Sequence, residues 1–449
     1  MSTLVRPQAS QPVPVLAPRD PAENTVIRKF SLALALILVF LRMSNFHQVE
    51  AFLLHVNLKI LYVFGIPAVM GAVLCGGLQR TFRGTPAYFW TGYWLWMTVA
   101  IPFSSWPGDS ARVSSIYLRT NLIMLFIVGG LVIGWKECQT LMRSFVWGAI
   151  GTLMVAKLFQ GGSGNEERFA LEFGSISNSN DFACHLLLCL PFLYWVVLSS
   201  KSIVARILCM GGIAYGVLLV IQTASRGALI SLAVVALCVL LWGSTVQRLA
   251  LIVLVPVAFA GITAVVSKET LSRIISFSAS DTTASAEALE SSRTRKYLLE
   301  KSIEYTLTHP LFGVGLGQFA NYEGTHNQVI GTHGSWHSTH NSFTQAASEC
   351  GIPGVLFFAG GLLATFKIFY SAFRKARNRP DCQDIKNAMF CLMLAMVGFV
   401  VSFSFLNFAY LFYQPLLGGV AIVMASATKE EFAKRDLAAA QSLVSQSIV

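Results

Sequence analysis

Residues 207–243 read ILCMGGIAYGVLLVIQTASRGALISLAVVALCVLLWG: two apolar runs, 207–224 and 228–243, joined by one short turn that carries Arg226. A helix that crosses a bilayer needs about 20 mostly apolar residues, and inside lipid only a helix or a closed barrel satisfies its backbone. Applied outward from this pair, the same ruler places spans at about 30–46, 51–78, 86–103, 117–134, 144–160, 180–199, 249–266, 354–371, 386–405 and 409–427. The expectation is an all-α polytopic membrane protein with about twelve transmembrane helices, the shorter runs being tilted or extended by their neighbours.

Composition agrees. Of 449 residues, 12% are charged and 54% hydrophobic, and the mean hydropathy is +0.61. A water-facing shell of ordinary polarity cannot be built from that. The formal charge of +11 does not point to nucleic acid, because the basic residues form short clusters between apolar runs rather than one stripe on a polar domain. Nine cysteines without a CxxC pair indicate neither a disulfide framework nor a zinc ribbon.

The connections set the orientation. With the N-terminus inside, cytoplasmic segments collect Arg28, Lys29, Arg80, Arg83, Lys136, Arg143, Lys201, Arg206, Arg248, the group from Arg374 to Lys386, and Lys429, Lys434 and Arg435. The short outer loops hold fewer, namely Arg42, Arg112, Arg119, Arg168 and Arg226. The domain reading is a proline-rich, disordered cytoplasmic tail at 1–29, spans one to nine within 30–266, one large periplasmic loop at 267–353, spans ten to twelve within 354–427, and a cytoplasmic tail at 428–449. Loops of that length in compact proteins are usually functional. Within it, Leu298, Leu299, Ile303 and Leu307 recur at helical spacing, Pro310 with Gly313, Gly315 and Gly317 ends that helix, and a second short helix runs to Glu349 before Cys350–Gly354 interrupts it.

There is no P-loop, Rossmann fingerprint or Asp-x-Asp pair, so nucleotide-dependent chemistry has no support in the sequence. Group transfer at the outer face would need a donor already activated in the membrane. Arg226, at the meeting of two apolar helices, reads either as an interfacial snorkeller or as a phosphate clamp. Arg168, alone in the loop 161–179, reads first as a solvated charge, and Arg295 beside Arg293 and Lys296 reads equally as part of a solvated basic face or as an anion ligand. Five of the eight histidines, His309, His326, His333, His337 and His340, fall in the large loop. A metal site from His333, His337 and His340 lacks a completing Asp or Cys and matches no zinc spacing, so no metal is called; one of them acting as a base is the preferred reading.

These residues resemble a known family. Gln222-Thr-Ala-Ser-Arg226-Gly227, then Arg295, His309-Pro310 with Gly313 and Gly315, His340-Asn341, and Glu349-Cys-Gly351-Ile-Pro-Gly354 look like the signature of the O-antigen ligase and polymerase superfamily, over about residues 160 to 425. The resemblance implies transfer of a glycan from an undecaprenyl-diphosphate donor at the outer face of the bacterial inner membrane, with inversion and without a cofactor. It implies His340 as general base and Arg226, Arg168 and Arg295 as diphosphate ligands. His337, three residues before His340, departs from the pattern and leaves open which imidazole is the base. The expected partners are the lipid-linked donor, a lipid A-core or glycan acceptor, and membrane lipids. Ligase is the leading expectation and a polymerase using the same donor the alternative. A transporter or flippase is the remaining class; it predicts ionisable groups at mid-membrane, for which Lys59 and Lys157 are the candidates, and an internal repeat, which the sequence lacks.

Overall fold

The computed structural model describes residues 25–161, 168–253, 286–329 and 336–447. The tail up to residue 24, residues 254–266 of the ninth expected span, the start of the long connection and His333 lie outside the described residues. The described chain is all-α apart from a two-residue antiparallel pair in which Gln160 faces Leu171. Its helices are α1 (Val26–Ser44), α2 (Phe46–Leu54), α3 (Ile60–Leu74), α4 (Gly77–Thr81), α5 (Thr85–Val99), α6 (Pro107–Ile116), α7 (Ile123–Leu131), α8 (Trp135–Leu158), α9 (Ser179–Ser199), α10 (Ile203–Gln222), α11 (Arg226–Trp242), α12 (Ala286–Thr308), α13 (Phe319–Val329), α14 (Ser342–Ala376), α15 (Gln383–Phe403) and α16 (Tyr413–Ser447).

Among the described residues, six helical stretches are long and apolar enough to cross a membrane: Pro107–Leu131, Trp135–Leu158, Ser179–Ser199, Ile203–Gln222, Ser342–Ala376 and Pro380–Phe403. Ile60–Leu74 and Arg226–Trp242 are apolar but shorter. Side-chain oxygens start several of them. Asn178 accepts the backbone N–H of Asn180 ahead of α9, and Ser202 that of Ala205 in the first turn of α10. The stretch expected as one span at 51–78 is divided. The chain leaves the helix at His55 and re-enters it after Lys59, both at left-handed φ, because Asn57 accepts the Lys59 N–H and Glu50 accepts that of Leu58. Lys59 therefore sits in an exposed turn, and Lys157 is exposed in the last turn of α8.

Polar cross-links tie the two ends of the bundle. At one end the buried Arg28 forks onto both oxygens of Glu137 at 2.8 and 2.9 Å and reaches the Leu131 carbonyl at 2.7 Å. Arg435 binds Asp384, which also accepts the Trp135 indole N–H at 2.7 Å. Small residues let the backbones between them approach: a Cβ on Gly130 would lie 2.9 Å from the Gly77 Cα. Trp90 is wholly buried against Gly361 and Gly418.

At the opposite end lie the start of α9, the end of α10, the start of α11, the start of α14, the end of α15 and the start of α16. Every sequence-derived site residue on a described helix end falls here.

Candidate functional site

The turn between α10 and α11 is Thr223-Ala224-Ser225, with Ala224 at φ 48°. Arg226 is the first residue of α11, half-buried, and forms no hydrogen bond or ion pair with the described residues. A cation there opposes the positive end of the helix dipole, an arrangement that an anion would relieve. Arg168 is brought to the same turn: its Nε donates to the Thr223 carbonyl at 2.8 Å and its Nη2 to Asn180 Oδ1 at 3.1 Å. The Phe169 N–H donates to the Gln222 carbonyl at 3.0 Å. Arg168 thus locks the 160–171 strand pair, the α10–α11 turn and the start of α9 together.

His340 stands two residues before α14, half-buried and at φ 52°. For a residue with a Cβ this conformation costs about 1–2 kcal/mol, so its surroundings must hold it. They do so through Asn407, whose Oδ1 accepts the His340 N–H at 2.7 Å and the Thr339 hydroxyl at 3.0 Å. Asn341, the partner in the His-Asn pair, is the N-cap of α14: its Oδ1 accepts the N–H groups of Phe343 and Thr344 at 2.9 and 3.1 Å. The buried Ser342 hydroxyl is bonded to the Phe403 and Leu406 carbonyls and the Phe408 N–H. The segment 403–409 that receives α14 also carries Phe405, against which Gly227 packs so closely that a Cβ there would lie 2.8 Å from the ring. The first turn of α11 and His340 are therefore seated on the same few residues.

The His340 imidazole is pushed down from 6.5 to about 4, first by burial, then by the charge of Arg295, then by that of His337. This coupling brings Arg295 on α12 and the exposed His337 to the site. Arg293 and Lys296 are exposed, and Lys296 pairs loosely with Glu300 at 3.9 Å, so the solvated-face reading suits these two and not Arg295. His309 and His326 pack on Tyr322 and serve the small aromatic cluster of α12 and α13. Among the described residues, no three His, Cys, Asp or Glu side chains converge as metal ligands do.

The glycine-rich stretch after Pro310 wraps the kink of α14. Gly351 breaks that helix at φ 72°, and a Cβ there would lie 2.1 Å from the Leu311 carbonyl. Val314 and Gly315 donate to the carbonyls of Ser348 and Glu349, and Ile352 to that of Pro310. The buried Glu349 carboxylate accepts from Gly317 N (2.9 Å), Phe319 N (3.3 Å) and the Tyr410 hydroxyl (2.6 Å). These glycines build a backbone clasp, and the clasp fixes α12 and its Arg295 over the start of α14. Sequence reasoning missed Asn407, Tyr410 and the role of Glu349; each acts through a contact with a distant segment, and no local pattern marks it.

Cationic and imidazole groups are thus gathered at one end of an apolar helical bundle. Residues 211–359 match the family described as O-Antigen ligase, whose members are glycosyltransferase-like enzymes. The match runs from α10 through Arg226, Arg295, the glycine clasp and His340 to the kink of α14; Arg168 and Asn407 lie outside it. No curated protein matches the chain.

Proposed function

We propose that the protein is an O-antigen ligase that moves a glycan from undecaprenyl diphosphate to a saccharide of the lipid A core. In this reading the site faces the periplasm from the bacterial inner membrane and both termini are cytoplasmic. The topology has about twelve spans, with α1, α3, α5, α11, α16 and the apolar run 249–266 of the sequence completing the six longer ones.

Arg226 and Arg295 grip the donor diphosphate, and Arg168 holds the turn that aims Arg226. Their planar forks each meet two phosphate oxygens, so the guanidinium groups carry the neutralisation that a metal supplies in other transferases. His340, neutral in the free protein, takes the proton of the acceptor hydroxyl as its oxygen attacks the anomeric carbon. The bond from that carbon to the phosphate oxygen breaks, undecaprenyl diphosphate leaves with the electron pair, and the configuration inverts. A bound diphosphate offsets the charge of Arg295, so the imidazole becomes more basic once donor is present. A placed base of this kind contributes about 100- to 10,000-fold.

The observation that carries the reading is the shared seat: His340 on Asn407 and the Arg226 helix on Phe405, with Arg295 close enough to depress the imidazole. The test is deletion of the gene in its own host followed by analysis of surface glycolipid. Bare core with full-length chains left on the carrier is the expected result. Core capped by a single repeat would instead assign the polymerase activity. Arg226→Ala and His340→Ala, produced in the membrane at normal levels, should fail to restore the wild-type glycolipid; restoration by either removes that residue from the mechanism.

A further inference from the structure

Away from His340, a groove of about 340 Å³ runs between α1, α3 and α7. Its walls are apolar, with Leu38, Ile66, Val69, Ile123 and Ile127 among them, and it opens sideways past Tyr62, Ile66 and Met70, all exposed on the outside of the bundle. Two guanidinium groups, Arg42 and Arg119, stand in its lining. Arg42 lies fourteen residues from Arg28 along α1, about 21 Å at 1.5 Å per residue, which puts it at the end of the bundle where His340 lies.

The placement of these two arginines is built. Between α6 and α7 the helix widens into a π-turn, Tyr117–Leu122, a distortion that recurs at functional positions because it turns one extra residue outward. Here that turn carries Arg119, exposed and without a hydrogen bond or ion pair to the described residues. It also presents the Thr120 carbonyl, which accepts from Arg42 Nη2. The Arg42 guanidinium lies over the Phe412 ring at 4.5 Å, and its Nε is buried with no acceptor. An N–H left unpaired at such a place costs about 1–3 kcal/mol unless a ligand accepts it. No carboxylate lines the groove.

We propose that this groove binds an anionic phospholipid, its phosphate between Arg42 and Arg119 and one acyl chain along α3 and α7. Apolar walls open to the bilayer take a chain that arrives laterally, and a doubly cationic mouth without an acid selects a net negative headgroup over a zwitterionic one. The occupant also bears on the transfer site: Phe412 under Arg42 and Asn407 under His340 belong to one connection, and Asn121 of the π-turn donates to the Tyr410 carbonyl between them at 2.7 Å. A lipid seated here braces the segment that holds His340.

The test uses the purified full-length protein in mild detergent, with bound lipid counted by native mass spectrometry. Phosphatidylglycerol should be retained as one tightly held molecule, and phosphatidylethanolamine of the same chains should not. Arg119→Ala should weaken phosphatidylglycerol by about tenfold or more, the loss of one charge-assisted contact. Gly65→Phe should remove it by filling the groove, since a Cβ at Gly65 meets only Leu38 Cδ2, at 3.8 Å, and the helix tolerates the change. Equal retention of phosphatidylethanolamine, or full retention of phosphatidylglycerol by both variants, overturns the proposal. Displacement of phosphatidylglycerol by a lower concentration of undecaprenyl phosphate would reassign the groove to the isoprenoid carrier. Neither variant touches Arg226, Arg295 or His340, so the result stands whether or not the transfer mechanism does.

Discussion

Replacing Arg295 with Gln tests the electrostatic core of the site. His340 is depressed from 6.5 to about 4 by three causes that act in the same direction, with burial the largest and Arg295 second. A second-largest cause can account for at most half of that displacement, so losing the charge should return the imidazole toward its ordinary value by no more than about one pH unit. A base works when neutral, and activity therefore falls on the acid side as the pH drops through the pKa of the imidazole. In wild-type protein the acid limb of kcat/KM, which reports the free enzyme, should lie near pH 4; in Arg295→Gln it should move upward by up to about one unit. Arg295→Lys keeps the charge and should leave the limb in place. Loss of the grip on diphosphate lowers the whole curve in both variants, so position and not height is the readout. The assay is glycan transfer from a lipid-linked donor in proteoliposomes buffered between pH 3.5 and 8 (about the range the depressed pKa requires). A limb that stays put in Arg295→Gln, or one that lies near 6.5 in the wild type, would refute the assignment of a desolvated His340 beside Arg295 as the base.

Two further substitutions probe the clasp. Gly315→Ala places a Cβ 1.9 Å from Ser104 Oγ at a backbone φ of 115°, so it should cost about 2–4 kcal/mol and lower the midpoint of thermal unfolding in detergent; a second change, Ser104→Gly, should recover only the part due to the clash, and an unchanged midpoint in the single variant would show that the loop does not lie against Ser104. Glu349→Leu strips the acceptor from two N–H groups and a tyrosine hydroxyl, at about 1–3 kcal/mol for each buried group left unpaired. Far less protein should reach the membrane, while Glu349→Gln, which keeps one acceptor oxygen, should fall between; equal levels for Leu and wild type would contradict a structural role for the carboxylate.

The fold was legible wherever the physics is local. Runs such as 180–199 and 207–224 are apolar for the length that a bilayer demands, and α9 and α10 cover them almost residue for residue. The same counting failed at 51–78, because a hydropathy average passes over a five-residue bridge, His55 to Lys59, that two polar side chains, Glu50 and Asn57, convert into a break. The place of Trp90 was illegible for another reason. Tryptophan is favoured both in the interfacial belt and in a tight helix crossing, and only the glycines it meets, more than 250 positions later in the chain at Gly361 and Gly418, distinguish the two.

The site was legible in its charges and not in its supports, and the reason is the geometry of antiparallel helices. A lone arginine between two apolar runs or a histidine beside a cap asparagine stands out because each breaks a local pattern. Asn407 breaks none: it is an ordinary polar residue in a connection, 67 positions from the imidazole it fixes. What joins the two is the alternation of direction along the bundle, which brings the starts of α9, α11, α14 and α16 and the ends of α10 and α15 to one end. Arg168, Arg226 and His340 each sit beside one of those helix ends, so a single added or lost crossing between them would send one partner to the far end and undo the site. The crossing count between Arg226 and His340 is therefore itself a functional constraint.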